Sequence, residues 1–465
     1  MRAQNARRVH GMGGMRIASI AVVAASAALV LGGCSGGGSG DNGSATLKIT
    51  YEKSDSFTVM DTLMKKVKTE FEKQHKNVTV DLQPITADDT DYDTKLSLSL
   101  RSASTAPDVF YEDTFRVKGD IEAGYLHKLD DKLSSWSDWS QYLDSAKTAG
   151  QGDDGSYYAV PLGADTRVIW YSKPVLEAAG ISVPWAPKTW QDILDAAAKI
   201  KAAEPGVVPF TMYAGTGTGE GTVMQSFYEL LYGTGDGQGL YDSDSGKWIV
   251  GSQGFVDSLQ FLQTLYDKKY AVTPAEALDA NVWKTVVGDL FPKDKVGGTV
   301  EGSYAPSFWE AGGPYPWADY ATKVGAAPFP TQNGQAPGGV SMSGGWTLAM
   351  SAKTKNADLA FDFMKIALSR ENALWYDTTN AKIAVRKDVA SDPSYLKANP
   401  FMKDVSDVLE FSHYRPANGV YPKISAAAQE ATGDVITGKK TPQQAAADYD
   451  AAVKQIVGAD KTIAK

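Results

Sequence analysis

Asp165 stands in a polar connection, Gly163-Ala164-Asp165-Thr166-Arg167, between two runs rich in Tyr, Val, Ile and Trp, residues 157–162 and 168–171. β-branched and aromatic residues of this kind favour strands, so one carboxylate is expected between two strands with flat rings on either side. Its oxygens accept hydrogen bonds, while Tyr and Trp offer apolar faces. Such a neighbourhood suits a guest with hydroxyls on one side and C–H groups on the other, as a sugar has. The competing reading is a carboxylate that caps a turn between two core strands.

The elements upstream place further candidates. Residues 47–51 read as a short strand, and a helix follows in which Phe57, Met60, Leu63, Met64, Val67 and Phe71 recur every three to four positions. Residues 77–83 then alternate, with Val78, Val80 and Leu82 on one face. This β-α-β start implies a parallel pair with a right-handed crossover. A helix over 92–101 leads to a buried strand at 107–111. In open α/β sheets ligands gather at the carboxyl ends of strands, which makes Tyr51, Glu52, Tyr111, Glu112 and Asp113 cleft candidates. A solvated loop accounts for them equally well.

Residues 297–329 differ in kind, holding Tyr304, Phe308, Trp309, Tyr315, Trp317, Tyr320 and Phe329 amid Gly and Pro, with Glu301 and Glu310 interleaved. Their spacing has no helical or strand period, so some should line a surface. Tyr304 leans towards a ligand, and Trp309 and Trp317 divide evenly between ligand and packing. Paired glycines in Ser343-Gly344-Gly345-Trp346 let the backbone bend and approach a ligand closely.

Elsewhere the pattern stays α/β. Thr189 caps a helix with Asp192 at its third position, residues 207–213 read as a strand, and 255–266 as an amphipathic helix. The glycine-rich stretch 215–221 has no Lys-Ser/Thr pair after it and reads as a flexible connection, not a phosphate loop. Asn356 is expected to cap a helix over 357–369, and Thr441-Pro442-Gln443-Gln444 is a capping box opening the last helix.

At the N-terminus Arg2, Arg7, Arg8 and Arg16 precede an apolar run of fifteen residues, 17–31. That is short of the roughly 20 a spanning helix needs, so 1–33 reads as a secretory signal. Leu31-Gly32-Gly33-Cys34, ending in the sole cysteine of the chain, resembles the bacterial lipobox, in which the cysteine is acylated. Residues 34–44 then form a lipidated, Gly/Ser-rich tether, whose ten residues after Cys34 span roughly 17 Å. Without the four leader arginines the net charge of −9 becomes −13, which disfavours nucleic acid and anionic lipid surfaces as partners. His75, His127 and His413 lack metal-ligand spacing, so neither metal nor cofactor is expected. The length calls for two or more domains.

Several segments together resemble the extracellular solute-binding protein family 1 of ABC importers. They are Pro107-Asp108-Val109-Phe110 with Ala123-Gly124-Tyr125-Leu126, then Ala159-Val160-Pro161-Leu162 through Ile169-Trp170-Tyr171-Ser172-Lys173. Thr189-Trp190, residues 298–304, Ser343-Gly344-Gly345-Trp346 and Thr437-Gly438-Lys439-Lys440-Thr441-Pro442 complete the set, spread over residues 45–460. The resemblance implies an α/β fold of two lobes, 45–164 plus 345–380 and 165–344 plus 381–465, closing on a ligand by a hinge. Hinge passages would lie near 163–167, 338–345 and 380–385.

By the same resemblance Tyr111, Glu112 and Asp113 would line one wall and Asp165 the base. Tyr304, Trp346 and Tyr421 would lie beside the sugar face, with Trp283 as an addition. Many members carry Trp where this chain has Tyr304. The implied function is capture of a sugar, of oligosaccharide size, by an exported, lipid-anchored monomer that delivers it to an ABC permease without catalysis. Alternatives are another solute, such as a quaternary amine or peptide, a lectin without lobe closure, and a glycoside hydrolase. The last needs two carboxylates about 5 to 10 Å apart, and no motif isolates a proton donor.

Overall fold

The computed structural model describes residues 45–465 apart from 56, 88 and 236–238. The expected signal 1–33, the lipidated Cys34 and the tether 34–44 lie outside the described residues. Among the described residues no helix is long and apolar enough to cross a membrane.

β1 (Ala45–Lys53) and β2 (Val78–Thr86) pair in parallel from Ala45↔Val78 to Lys53↔Thr86. The helix Val59–Gln74 connects them and buries Met60, Leu63, Met64, Val67 and Phe71, the stripe that three-to-four spacing creates. β3 (Val109–Asp113) joins the other side of β1, also in parallel. β4 (Ala159–Asp165) and β5 (Arg167–Ser172) follow, with Thr166 alone between them. The expected polar turn is therefore nearly continuous strand, because 163–167 is bonded to neighbouring strands on its way through.

The remaining strands are β6 (Tyr241–Asp242), β7 (Lys247–Val250), β8 (Gly298–Gly302), β9 (Val324–Ala327), β10 (Phe329–Pro330), β11 (Gly339–Met350), β12 (Ser412–Tyr414) and β13 (Thr462–Ala464). Three sheets result: β10-β11-β3-β1-β2 with β4 and β12 also on β11, then β8-β5-β9, then β13-β7-β6.

Two hydrophobic cores form. One holds β1, β3, residues 159–162 and Trp346, Leu348, Ala349 and Met350 with the helix Ala357–Ala367. The other holds β5, the helices Trp190–Ala203, Gln253–Asp267 and Tyr421–Ile436, and Met342. β11, buried at all twelve positions, serves both. It runs antiparallel to β4, Gly344 facing Asp165 and Trp346 facing Gly163, and residue 383 bridges to Ala164 from the far side. Three passages of chain thus lie side by side where the cores meet.

The glycines there serve packing between strands. Gly345 has φ +148°, and a Cβ on it would sit 2.3 Å from the Gly163 carbonyl oxygen. The close approach anticipated for a ligand is made by β4.

Capping boxes form at Thr189 with Asp192 and at Thr441 with Gln444. Asn356 makes no side-chain cap and instead donates to the Thr46 carbonyl at 3.4 Å. Residues 207–213 make only isolated parallel bridges, Val208↔Val296 and Thr211↔Thr299, since Pro209 has no N–H to give a ladder.

Candidate functional site

A cavity of about 1010 Å³ opens between residues of the two cores. Its first wall comes from β3 and β11, which pair Trp346 with Asp113 and Leu348 with Tyr111. Side chains alternate faces along a strand, so Tyr111 and Asp113 share the face that carries Trp346, while Glu112 points to the other. Trp346 stacks on Tyr111 with centroids 4.3 Å apart and planes 4° from parallel. Tyr111 is thereby covered, its hydroxyl bonded to that of Tyr376 at 2.9 Å, and Trp346, with Tyr92 tilted against it at 6.2 Å, lines the cavity.

The base of the cavity is ionic. Asp165, 3% exposed, accepts from Arg167 Nη1 at 2.7 Å through Oδ1 and from Lys382 Nζ at 3.0 Å through Oδ2. Burial pushes its pKa up, but the two cations outweigh burial and hold it below the usual carboxylate range. Tyr304 roofs this pair, with Lys382 Nζ 4.5 Å and the Arg167 guanidinium 5.4 Å from its ring centroid. These distances are those of cation–π contact.

A second ionic group spans the cavity. Arg415 donates to Asp113 Oδ1 at 2.9 Å and to Glu220 Oε1 at 3.0 Å. Glu220 also accepts from the Tyr421 hydroxyl at 2.6 Å and from Ser425. Burial lowers the Arg415 pKa, yet the two carboxylates prevail and raise it well above the ordinary value.

Of the residues singled out from sequence, Glu52, Asp113, Asp165, Trp283, Glu301, Tyr304, Phe308 and Trp346 line the cavity. The others do not. Tyr51 turns towards the helix Val59–Gln74 and donates to Asp61 at 2.8 Å, because strand alternation sends it away from Glu52. Glu112 is fully buried behind β3, where burial, with Asp120 beside it, raises its pKa well above the usual range. Trp309, 1% exposed, is a core residue: its Nε1 donates to the Val287 carbonyl at 2.9 Å and its ring meets Trp170 and Trp317 edge to face. Tyr421 lies beneath Glu220 rather than on the surface.

Sequence reasoning missed Glu220, Lys382 and Arg415. The stretch 215–221, read as a flexible connection, lines the cavity from 216 onward and enters a π-helical turn, Glu220–Met224. The lone acid inside that glycine-rich loop was the available signal. Lys382 and Arg415 had none, being far in sequence from the carboxylates they meet.

Residues 54–374 match the pattern of the bacterial extracellular solute-binding proteins. The chain belongs to that family. This solute-binding protein is 26% identical over 372 residues to the maltodextrin-binding protein MdxE of Bacillus subtilis, covering 76% of this chain and 78% of that one. It is 27% identical over 278 residues to the diacetylchitobiose binding protein DasA of Streptomyces coelicolor, 59% of each chain. Its fold matches maltose-bound MalE3 of T. maritima with a TM-score of 0.75 at 23% identity, over 89% of this chain and all of that one. The solute-binding protein thus has the two-lobed α/β architecture of that structure and belongs to a family of binders, not enzymes.

Proposed function

We propose that this chain captures a sugar of oligosaccharide size in its interlobe cavity and hands it to an ABC permease. The observation that carries this is that Trp346 lines one cavity together with two carboxylates, Asp113 beside it on the same wall and Asp165 at the base. A flat ring takes the C–H face of a pyranose while carboxylates and their partnered cations take hydroxyls from both sides. The volume, about 1010 Å³, lies at the upper end for small-ligand pockets. The names of MdxE and DasA, a maltodextrin and a diacetylchitobiose binder, support the same class.

The lobes are proposed as 45–164 plus 345–380 and 165–344 plus 381–465, a division that the two cores follow apart from Ala373 and Val385. Closure would favour the form that buries the ligand in both, and the permease would read that form. Export and lipid anchoring at Cys34 complete the reading. Calorimetry with maltotriose, diacetylchitobiose and mannobiose tests it: saturable heat from at least one, lost in Trp346→Ala, is expected. No heat from these or a wider neutral glycan panel, with a strong signal from betaine or peptides, would overturn it.

A further inference from the structure

The cavity contains several buried cations, which at first sight suit an anionic guest. Each meets a carboxylate. Arg167 and Lys382, 2% and 3% exposed, share Asp165 at 2.7 and 3.0 Å. Arg415, 7% exposed, lies between Asp113 at 2.9 Å and Glu220 at 3.0 Å. Arg116 meets Asp120 at 3.0 Å and Asp93 at 3.7 Å. Arg101 and Lys284 stand exposed at the rim, where solvent and salt screen them. The carboxyl side chains of Glu52 and Asp55 belong to the same lining.

At the base two cations share the single carboxylate of Asp165, but beside Arg415 two carboxylates hold one cation, so an anion there would have to displace Asp113 or Glu220 or sit beside them as a like charge, and both are costly in a partly desolvated site. An uncharged polyol faces no such conflict. Its hydroxyls donate to the spare lone pairs of Asp113, Asp165 and Glu220 and accept from the same arginines, leaving the charge balance unchanged.

We propose that the cavity selects uncharged solutes over those bearing a carboxylate or phosphate, and that the Asp113–Arg415–Glu220 arrangement is the main determinant. The inference rests on the sugar reading for its guest class, while its anion arm can be read without any sugar. Glu220→Gln keeps the side chain's shape and discharges one of the two carboxylates that hold Arg415.

The test is calorimetry on the intact mature chain with inorganic phosphate, sn-glycerol 3-phosphate and galacturonate, beside maltotriose. Wild type is expected to give no saturable heat with the three anions up to about 10 mM, and Glu220→Gln to gain phosphate affinity by about tenfold or more. Saturable binding of any of the three anions by wild type below about 1 mM would overturn the proposal, whatever the neutral sugars do. Should Glu220→Gln fail to fold, the wild-type titrations decide alone. Silence from every neutral sugar with the anions also silent would count against the sugar reading and leave the exclusion of anions upheld.

Discussion

Tyr111 and Trp346 lie face to face, 4.3 Å between ring centres, on neighbouring antiparallel strands. One ring is wholly buried and the other lines the cavity, so the pair joins the core of one lobe to the surface that meets the guest. Replacing Trp346 with Ala should therefore do two things. Ligand affinity should fall at least tenfold, and stability by about 3–5 kcal/mol from the lost packing. Trp346→Phe should restore most of the stability and only part of the affinity. Urea denaturation beside calorimetry separates the effects.

Asp165→Asn should leave Arg167 and Lys382 as buried cations without their counter-charge. A loss of about 3–5 kcal/mol is expected from urea denaturation at pH 7. Because the native pKa lies below the unfolded one, the stability Asp165 contributes is whole above an unfolded pKa near 3.8 and drains away as pH falls towards the native value. The gap between wild type and variant should accordingly narrow below pH 4; a gap that stays constant to pH 2 would contradict the ion-pair account.

Glu310 titrates with the opposite sign. Burial raises its pKa to about 7, partly offset by the Tyr320 hydroxyl. A raised carboxylate favours the native state below its unfolded pKa, and that advantage disappears as pH climbs through the native value. Wild type should lose about 2 kcal/mol at this site between pH 4.5 and 7, and Glu310→Gln should flatten that slope in melts across the range.

Gly345→Ala would place a methyl 2.3 Å from the Gly163 carbonyl, at a φ of +148° that other residues avoid. A cost of about 2–4 kcal/mol is expected. At Gly344 the nearest atoms would be 3.4 Å away, so Ala there should cost less than about 1 kcal/mol. Equal costs at the two sites would remove the strand-approach explanation.

Local signals carried far into the structure. The β-α-β start, the capping boxes at Thr189 and Thr441, and the cleft positions of Glu52, Asp113 and Asp165 follow from periodicity and from where strands end, while that of Trp346 follows from its paired glycines and the family resemblance. Tyr51 and Glu112 lie off the cavity because period-two alternation turns them away, and Tyr111 because Trp346 stacks over it. Trp309 looked surface-bound among Gly and Pro, but it fills a core built from residues 170, 287 and 317 that no local pattern reveals. The partners of the carboxylates stayed invisible for the same reason. Lys382 is 217 positions from Asp165 and Arg415 is 302 from Asp113, so only the fold brings them together.

β11 gives side chains to both cores and hydrogen bonds to strands on both sides. Neither lobe can melt without stripping a strand from the other, so heat should dismantle the whole body in one calorimetric transition. The two lobes are in this sense a single folding unit, and two resolved endotherms would show otherwise.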